Sequence, residues 1–220
     1  GYAVSVGNTS IDQLEKYACW IEKFEEITVR EVKTSKIINE LIGRVVIDVA
    51  DPVILLDKDT WWGYIKEKKE RYMVCYFVRE EDMKVKIANA KRLARKLNLN
   101  LKIINLRISR MNLYNRILLE LDPFEFLTEI ANAEYIYTDS FHGTVFSIIF
   151  EKNFTVVESM TEKNDSRKRN VLEKLNLENR LKKINNSSEI LGRIDYLEVT
   201  DKVNIWREES KAILREMLSI

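Results

Sequence analysis

The chain's single histidine stands in the run Thr138-Asp139-Ser140-Phe141-His142-Gly143-Thr144, beside hydroxyls, a carboxylate and a glycine. An imidazole with an ordinary pKa of about 6.5 can serve near neutrality as a general acid or as a cation toward phosphate. Gly143 would let an anionic ligand approach the backbone, with the Ser140 and Thr144 hydroxyls close by. Plainer readings stand beside these. His142 could cap a helix or satisfy a buried carbonyl, Asp139 could be a capping carboxylate, and Ser140 a turn hydroxyl.

The neighbouring residues supply a frame for such a site. Glu134-Tyr135-Ile136-Tyr137-Thr138 reads as a strand, Gly143 to Phe150 has helical spacing through Val145, Ile148 and Ile149, and Phe154-Thr155-Val156-Val157 is the next strand. In open parallel sheets ligands collect beyond the carboxyl ends of strands, where a following helix offers unpaired amides and partial positive charge.

The same alternation runs along the chain. Gly1 to Val6 reads as a buried opening strand. Ser10-Ile11-Asp12-Gln13 has the form of a capping box before a helix whose face carries Leu14, Tyr17, Ala18 and Ile21. Glu26 to Arg30 and Val45 to Val49 read as strands, Ser35 to Leu41 as a helix, and Asp51-Pro52 as a break. Tyr72 to Val78 is apolar on both faces, as a central parallel strand would be. Asp82 is expected to cap a helix with Met83, Ile87, Ala90, Leu93, Ala94 and Leu97 inside and a solvated basic face of Lys91, Arg92, Arg95 and Lys96. Leu101 to Leu106 gives another strand. Asp122-Pro123 starts a helix with Phe124, Leu127 and Ile130 facing inward. The fold class is therefore α/β, a Rossmann-like parallel sheet with helices on both faces.

Composition narrows the partners. The 220 residues are 45% hydrophobic and carry 36 basic against 35 acidic side chains, a net charge of +1 that gives no field for steering toward nucleic acid. Cys19 and Cys75 lack metal-ligand spacing and read as buried thiols, and no metal cluster is visible. No apolar run approaches the ~18 to 20 residues that span a bilayer. The expected location is the cytoplasm. The start on Gly1, with neither leader nor initiating methionine, reads as that of an excised piece.

The polar stretch 57–70, with Trp61-Trp62-Gly63 inside it, is the expected hinge, dividing the chain into 1–64 and 65–220. Trp61 and Trp62 either pack at that hinge or stack on sugar faces. Val203 to Ile220, with Trp206, Ile213, Leu214, Met217 and Leu218, reads as a closing amphipathic helix.

The segment from Ala131 through Thr138-Asp139-Ser140-Phe141-His142-Gly143-Thr144 to Phe150 resembles the signature of the polysaccharide pyruvyl transferases. Ile27-Thr28-Val29-Arg30-Glu31, Asp51 to Leu56 before Trp61, and Asp165-Ser166-Arg167 leading to Leu172, Leu175, Leu177 and Arg180 fit in the same order, so the resemblance covers nearly the whole chain. It implies a two-lobed architecture of the GT-B type, with 1–64 the end of a first lobe whose glycine-rich opening is absent and 65–220 the second lobe. It implies transfer of a pyruvyl group from phosphoenolpyruvate, the donor substrate, to hydroxyls of a saccharide acceptor, free or lipid-linked, to form a ketal. No cofactor is called for. A lipid-linked acceptor would allow peripheral association with the inner face of the membrane.

In that reading His142 is the general acid or phosphate contact. Asp139, Ser140, Gly143 and Thr144 line the donor turn, and Arg30 and Arg167 are candidates for gripping phosphate or carboxylate. Plainer roles remain for both arginines, a surface salt bridge for Arg30 and a solvated loop charge beside Lys168 and Arg169 for Arg167. A nucleotide-sugar glycosyltransferase of the same architecture, or a non-catalytic module binding a glycan or protein, are the alternatives.

Overall fold

The structure is a computed structural model describing residues 1–7, 9–105, 117–118, 121–158 and 166–219. Leu106 of the expected strand Leu101 to Leu106 and Asp165 of the third matching motif lie outside these residues. The described residues divide into two compact units, one drawn from Gly1–Leu56, Lys163–Asn176 and Leu197–Ile220, the other from Asp57–Glu162 and Leu177–Tyr196.

The first unit holds α1 (Ile11–Glu15), α2 (Ala18–Ile21), β1 (Thr28–Val29), α3 (Val32–Ile42), β2 (Ile47–Asp48), α8 (Ser166–Lys174) and most of α9 (Tyr196–Met217). Its strands β1 and β2 pair in parallel, and Ile27, Val29, Ile38 and Val46 form the small core beneath them. The opening strand is reduced to one bridge, Val4 to Val29, because Ala3 adopts the left-handed region at φ 51 and breaks the extended run. The Gln13 side chain accepts from the Ser10 amide at 3.1 Å, in the expected capping box. The helix it starts breaks after one turn, leaving Tyr17 exposed. Cys19 is exposed too, unlike Cys75. Val45 lies outside β2 and is 86% exposed.

Helix α9 closes this unit. Ser210 Oγ accepts from the Ala50 amide at 2.9 Å, and Arg207 Nε donates to the Ile54 carbonyl at 2.6 Å. Val199, Val203 and Trp206 form its buried stripe.

The second unit is built on one six-stranded sheet of β3 (Tyr72–Phe77), β4 (Asn100–Asn105), β5 (Ile117–Leu118), β6 (Tyr135–Thr138), β7 (Asn153–Glu158) and β8 (Leu181–Lys183), in the order β5-β4-β3-β6-β7-β8. Every pairing is parallel. Counted within this sheet the order is 3-2-1-4-5-6, the Rossmann order, and the chain reverses direction across the sheet between β3 and β6. Helices α4 (Lys58–Trp62), α5 (Met83–Leu97), α6 (Pro123–Asn132) and α7 (Phe141–Ile149) complete the unit.

Strand alternation sorts the helices onto opposite faces. Met73, Cys75, Phe77, Tyr135, Tyr137 and Val157 pack against Ile87, Ala90, Leu93 and Ala94 of α5. On the other face the Tyr72 hydroxyl donates to the Glu129 carbonyl of α6 at 3.1 Å, and the Tyr76 ring lies 4.7 Å from Phe126. Asp122 caps α6 by accepting from the Phe124 and Glu125 amides, both at 2.8 Å, with Pro123 in the first turn as expected. Phe124 itself is exposed and stacks on Tyr64 instead of facing inward, since the buried stripe of α6 runs through Leu127, Ile130 and Ala131. Asp82 stands at the head of α5 in the left-handed region and makes no capping bond there.

Candidate functional site

The site begins where β6 ends. Thr138 donates its hydroxyl proton to the Tyr76 carbonyl at 2.6 Å, and its oxygen accepts from the Ser140 amide at 3.0 Å. The first bond ties the ends of β3 and β6 together at the switch point of the sheet, and the second turns the chain out of the strand. Ser140 then caps α7, its Oγ accepting from the Gly143 amide at 3.2 Å. The Thr144 hydroxyl donates back to the Ser140 carbonyl at 2.9 Å, and Ser147 to the Gly143 carbonyl at 2.7 Å. These bonds fix the first turn of α7 from within.

Asp139 is held on the opposite face of the sheet. One carboxylate oxygen accepts from the Val78 amide at 2.8 Å, the other from Lys86 Nζ at 2.7 Å. Both members of this ion pair are buried, Lys86 at 0% and Asp139 at 1% exposure. Tyr76, half-buried, completes the wall between the two strands. Burial raises its phenol above the ordinary value, the hydrogen bond with Ser140 works against that, and the Asp139 charge adds to it.

Of the nine residues of α7, only His142 is exposed; Phe141 and Gly143 through Ile149 are all buried. A helix covered on every side normally carries no ionisable group. Here its single imidazole projects from the first turn, beyond the carboxyl end of β6 and beside the switch point, with the Phe141 ring 5.2 Å away. The helix amino terminus adds partial positive charge at the same place.

The structure thus brings together Asp139, Ser140, His142, Gly143 and Thr144, but gives them unequal parts. Asp139, Ser140 and Thr144 are buried and bonded within the protein. Gly143 is set by packing: a Cβ there would stand 2.4 Å from Thr138 Oγ1 and 3.1 Å from Tyr76 Cδ1. The space a side chain would need there is filled by protein, so packing alone requires glycine at this position.

Arg30 and Arg167 belong to the first unit. Arg30 follows β1, and its Nη1 donates to the buried carboxylate of Asp51, which also accepts from the Val53 amide at 3.0 Å. Arg167 lies in the first turn of α8, helical and half-buried, and its neighbour Lys168 is fully buried; the pair is no solvated loop. Asn170, one turn on, joins the two regions by donating to the Arg30 carbonyl at 3.2 Å and accepting from the Val32 amide at 3.3 Å. Trp61 packs edge-on against Phe146 of α7 at 5.3 Å, and Trp62 against Phe150, just past its end, at 5.9 Å. Among the described residues no group of three or more His, Cys, Asp or Glu converges as a metal site. No helix of the described residues is long and apolar enough to cross a membrane.

Lys86 and Tyr76 were not singled out by sequence. Lys86 hides among the many basic residues of α5; the signal that could have found it is its position one residue before Ile87, on the apolar stripe that runs from Met83 to Ala90.

The model of the polysaccharide pyruvyl transferase family matches residues 2–159. No curated protein sequence matches. Among solved structures the chain is similar to the UDP-GlcNAc 2-epimerase of Methanocaldococcus jannaschii in complex with UDP-GlcNAc and UDP, at 14% identity and a TM-score of 0.50, over 89% of this chain and 61% of that one. The UDP-N-acetylglucosamine 2-epimerase of Rickettsia bellii gives 13% identity and 0.48, over 91% and 61%. The chain therefore spans about three fifths of the length of these structures. The first likeness agrees with the expected Rossmann-like α/β fold.

Proposed function

The chain belongs to the polysaccharide pyruvyl transferase family, and from that premise we propose that it binds phosphoenolpyruvate at the His142 turn and transfers its pyruvyl group to saccharide hydroxyls. The observation that carries the reading is that the chain's one imidazole is the sole exposed side chain of a buried helix, at the carboxyl edge where the sheet order reverses.

The chemistry asks for what such a position offers. A first hydroxyl oxygen bonds to C2 of phosphoenolpyruvate and gives up its proton to solvent, while C3 takes a proton and becomes a methyl group. A second hydroxyl then displaces phosphate from C2, closing the ketal, and its proton leaves with the phosphate or to solvent. Protonated His142 would supply the proton to C3, or hold the phosphate while another acid does so. The buried residues of the turn keep that imidazole in place. Arg30 and Arg167 remain candidates for a carboxylate or phosphate grip in the first unit, Arg30 with its fork shared with Asp51. The acceptor is a cell-surface polysaccharide or its precursor, free or lipid-linked. The reaction is placed in the cytoplasm or at the membrane's inner face.

A second reading is a nucleotide-sugar donor at the same edge, favoured by the likeness to an epimerase solved with UDP-GlcNAc. A non-catalytic glycan-binding role loses its main support, since Trp61 and Trp62 are used in packing on Phe146 and Phe150. Calorimetric titration of phosphoenolpyruvate and of a uridine-diphosphate sugar into the chain and into His142→Ala separates these. Saturable phosphoenolpyruvate binding that weakens in the variant is expected; preference for the nucleotide sugar would overturn the pyruvyl-donor reading.

A further inference from the structure

We propose that Lys86 is a positioning residue of the His142 site, acting through Asp139. The inference deepens the reading of that site given above and rests on it.

Lys86 is the only charged residue of α5 that is buried; Lys84, Lys91, Arg92, Arg95 and Lys96 are all exposed. It lies on the apolar stripe, next to Ile87 and one turn from Ala90, where a leucine or methionine would be the ordinary choice. Its ammonium donates to Asp139 Oδ2 at 2.7 Å and to the Arg79 carbonyl at 3.2 Å, and lies 5.9 Å from the centre of the Phe77 ring. With the Val78 amide on the other carboxylate oxygen, one buried cluster joins α5, the residues just past β3 and the residue just past β6.

Stability alone does not explain such a cluster. Taking both charges out of water offsets most of their attraction, and apolar side chains of similar volume in the same place are often as good or better. What the pair supplies is direction. Asp139 stands between Thr138, the last residue of β6, and Ser140, the cap of α7. Its own amide donates to the Tyr76 carbonyl at 3.4 Å. The side chain therefore holds the backbone at the point where it leaves the sheet, and His142 follows three residues later. The face opposite the imidazole is clamped by charge, while Thr138, Ser140 and Thr144 clamp its own face.

The single histidine makes this measurable without a substrate, because the chain gives one imidazole signal in a carbon-proton correlation spectrum. Lys86→Met alone takes the ammonium away from a buried carboxylate and can unfold the chain, so the deciding variant is Lys86→Met with Asp139→Asn, which removes both charges and keeps the acceptor for Val78. The double variant is expected to melt near the parent temperature, yet to show the His142 signal broadened or split and phosphoenolpyruvate affinity reduced about tenfold, as misplacement of a reacting group by a fraction of an ångström would do. A single unshifted His142 signal in the folded double variant would overturn the proposal. Failure of the unaltered chain to bind phosphoenolpyruvate would count against the proposed function, and the imidazole signal would still decide the positioning role.

Discussion

Gly143 and Thr138 approach each other so closely that a methyl group on the first would stand 2.4 Å from the hydroxyl oxygen of the second. Thr138 cannot give way easily. It is β-branched, fully buried and bonded to both the Tyr76 carbonyl and the Ser140 amide.

Gly143→Ala should therefore lower stability by about 1–3 kcal/mol, the usual range for overpacking, despite alanine's better helix propensity. Because the helix must lift, ligand binding at His142 should weaken as well. Denaturant unfolding beside the calorimetric titration checks both; an unchanged midpoint would show that the contact relaxes at no cost.

Asp122→Ala offers the contrast, a cap lost away from the site. It should cost about 1 kcal/mol by removing the bonds to the Phe124 and Glu125 amides, with phosphoenolpyruvate affinity unaltered. Thermal melts and the same titration suffice.

The two thiols should behave differently. Cys19 is exposed, while burial holds the Cys75 thiol well above its ordinary value. A thiol reagent added to the native chain should consume one equivalent at once and the second only on unfolding. Two fast equivalents would mean that β3 opens readily.

Acid should weaken the fold through Glu129. Burial pushes this carboxyl up, but the hydrogen bonds and charges of Lys68 and Lys102 outweigh it and leave the pKa lowered. A carboxyl lowered in the folded state contributes stability that is fully present above its unfolded value, about 4.3, and lost as pH falls through the folded one. Glu129→Gln should be less stable than the parent at neutral pH, with the difference shrinking below about pH 4. Unfolding curves across that range test the sign.

Much of this arrangement was legible from residue order because it is local. The strand-turn-helix-strand from Glu134 to Val157, the Asp122 cap and the apolar stripe of α5 each rest on neighbours a few residues apart. What escaped depends on partners far along the chain. Lys86 meets Asp139 across 53 residues and looks, by itself, like one more solvated lysine. That Thr138 and Tyr76 press against Gly143 and leave no room for a side chain is likewise invisible in the residue order. The left-handed turn at Ala3, which dissolves the opening strand, has no compositional mark at all.

The first unit is assembled from three separated segments of the chain, and this sets an order of events during synthesis. The Ala50 amide waits for Ser210, 160 residues later, and the Ile54 carbonyl for Arg207, 153 residues later. At translation rates of about 5–20 residues per second, that is a delay of roughly 8 to 30 seconds. During this interval the second unit's sheet can already be forming, while the Ala50 amide and the Ile54 carbonyl stay bonded to water until α9 has been made.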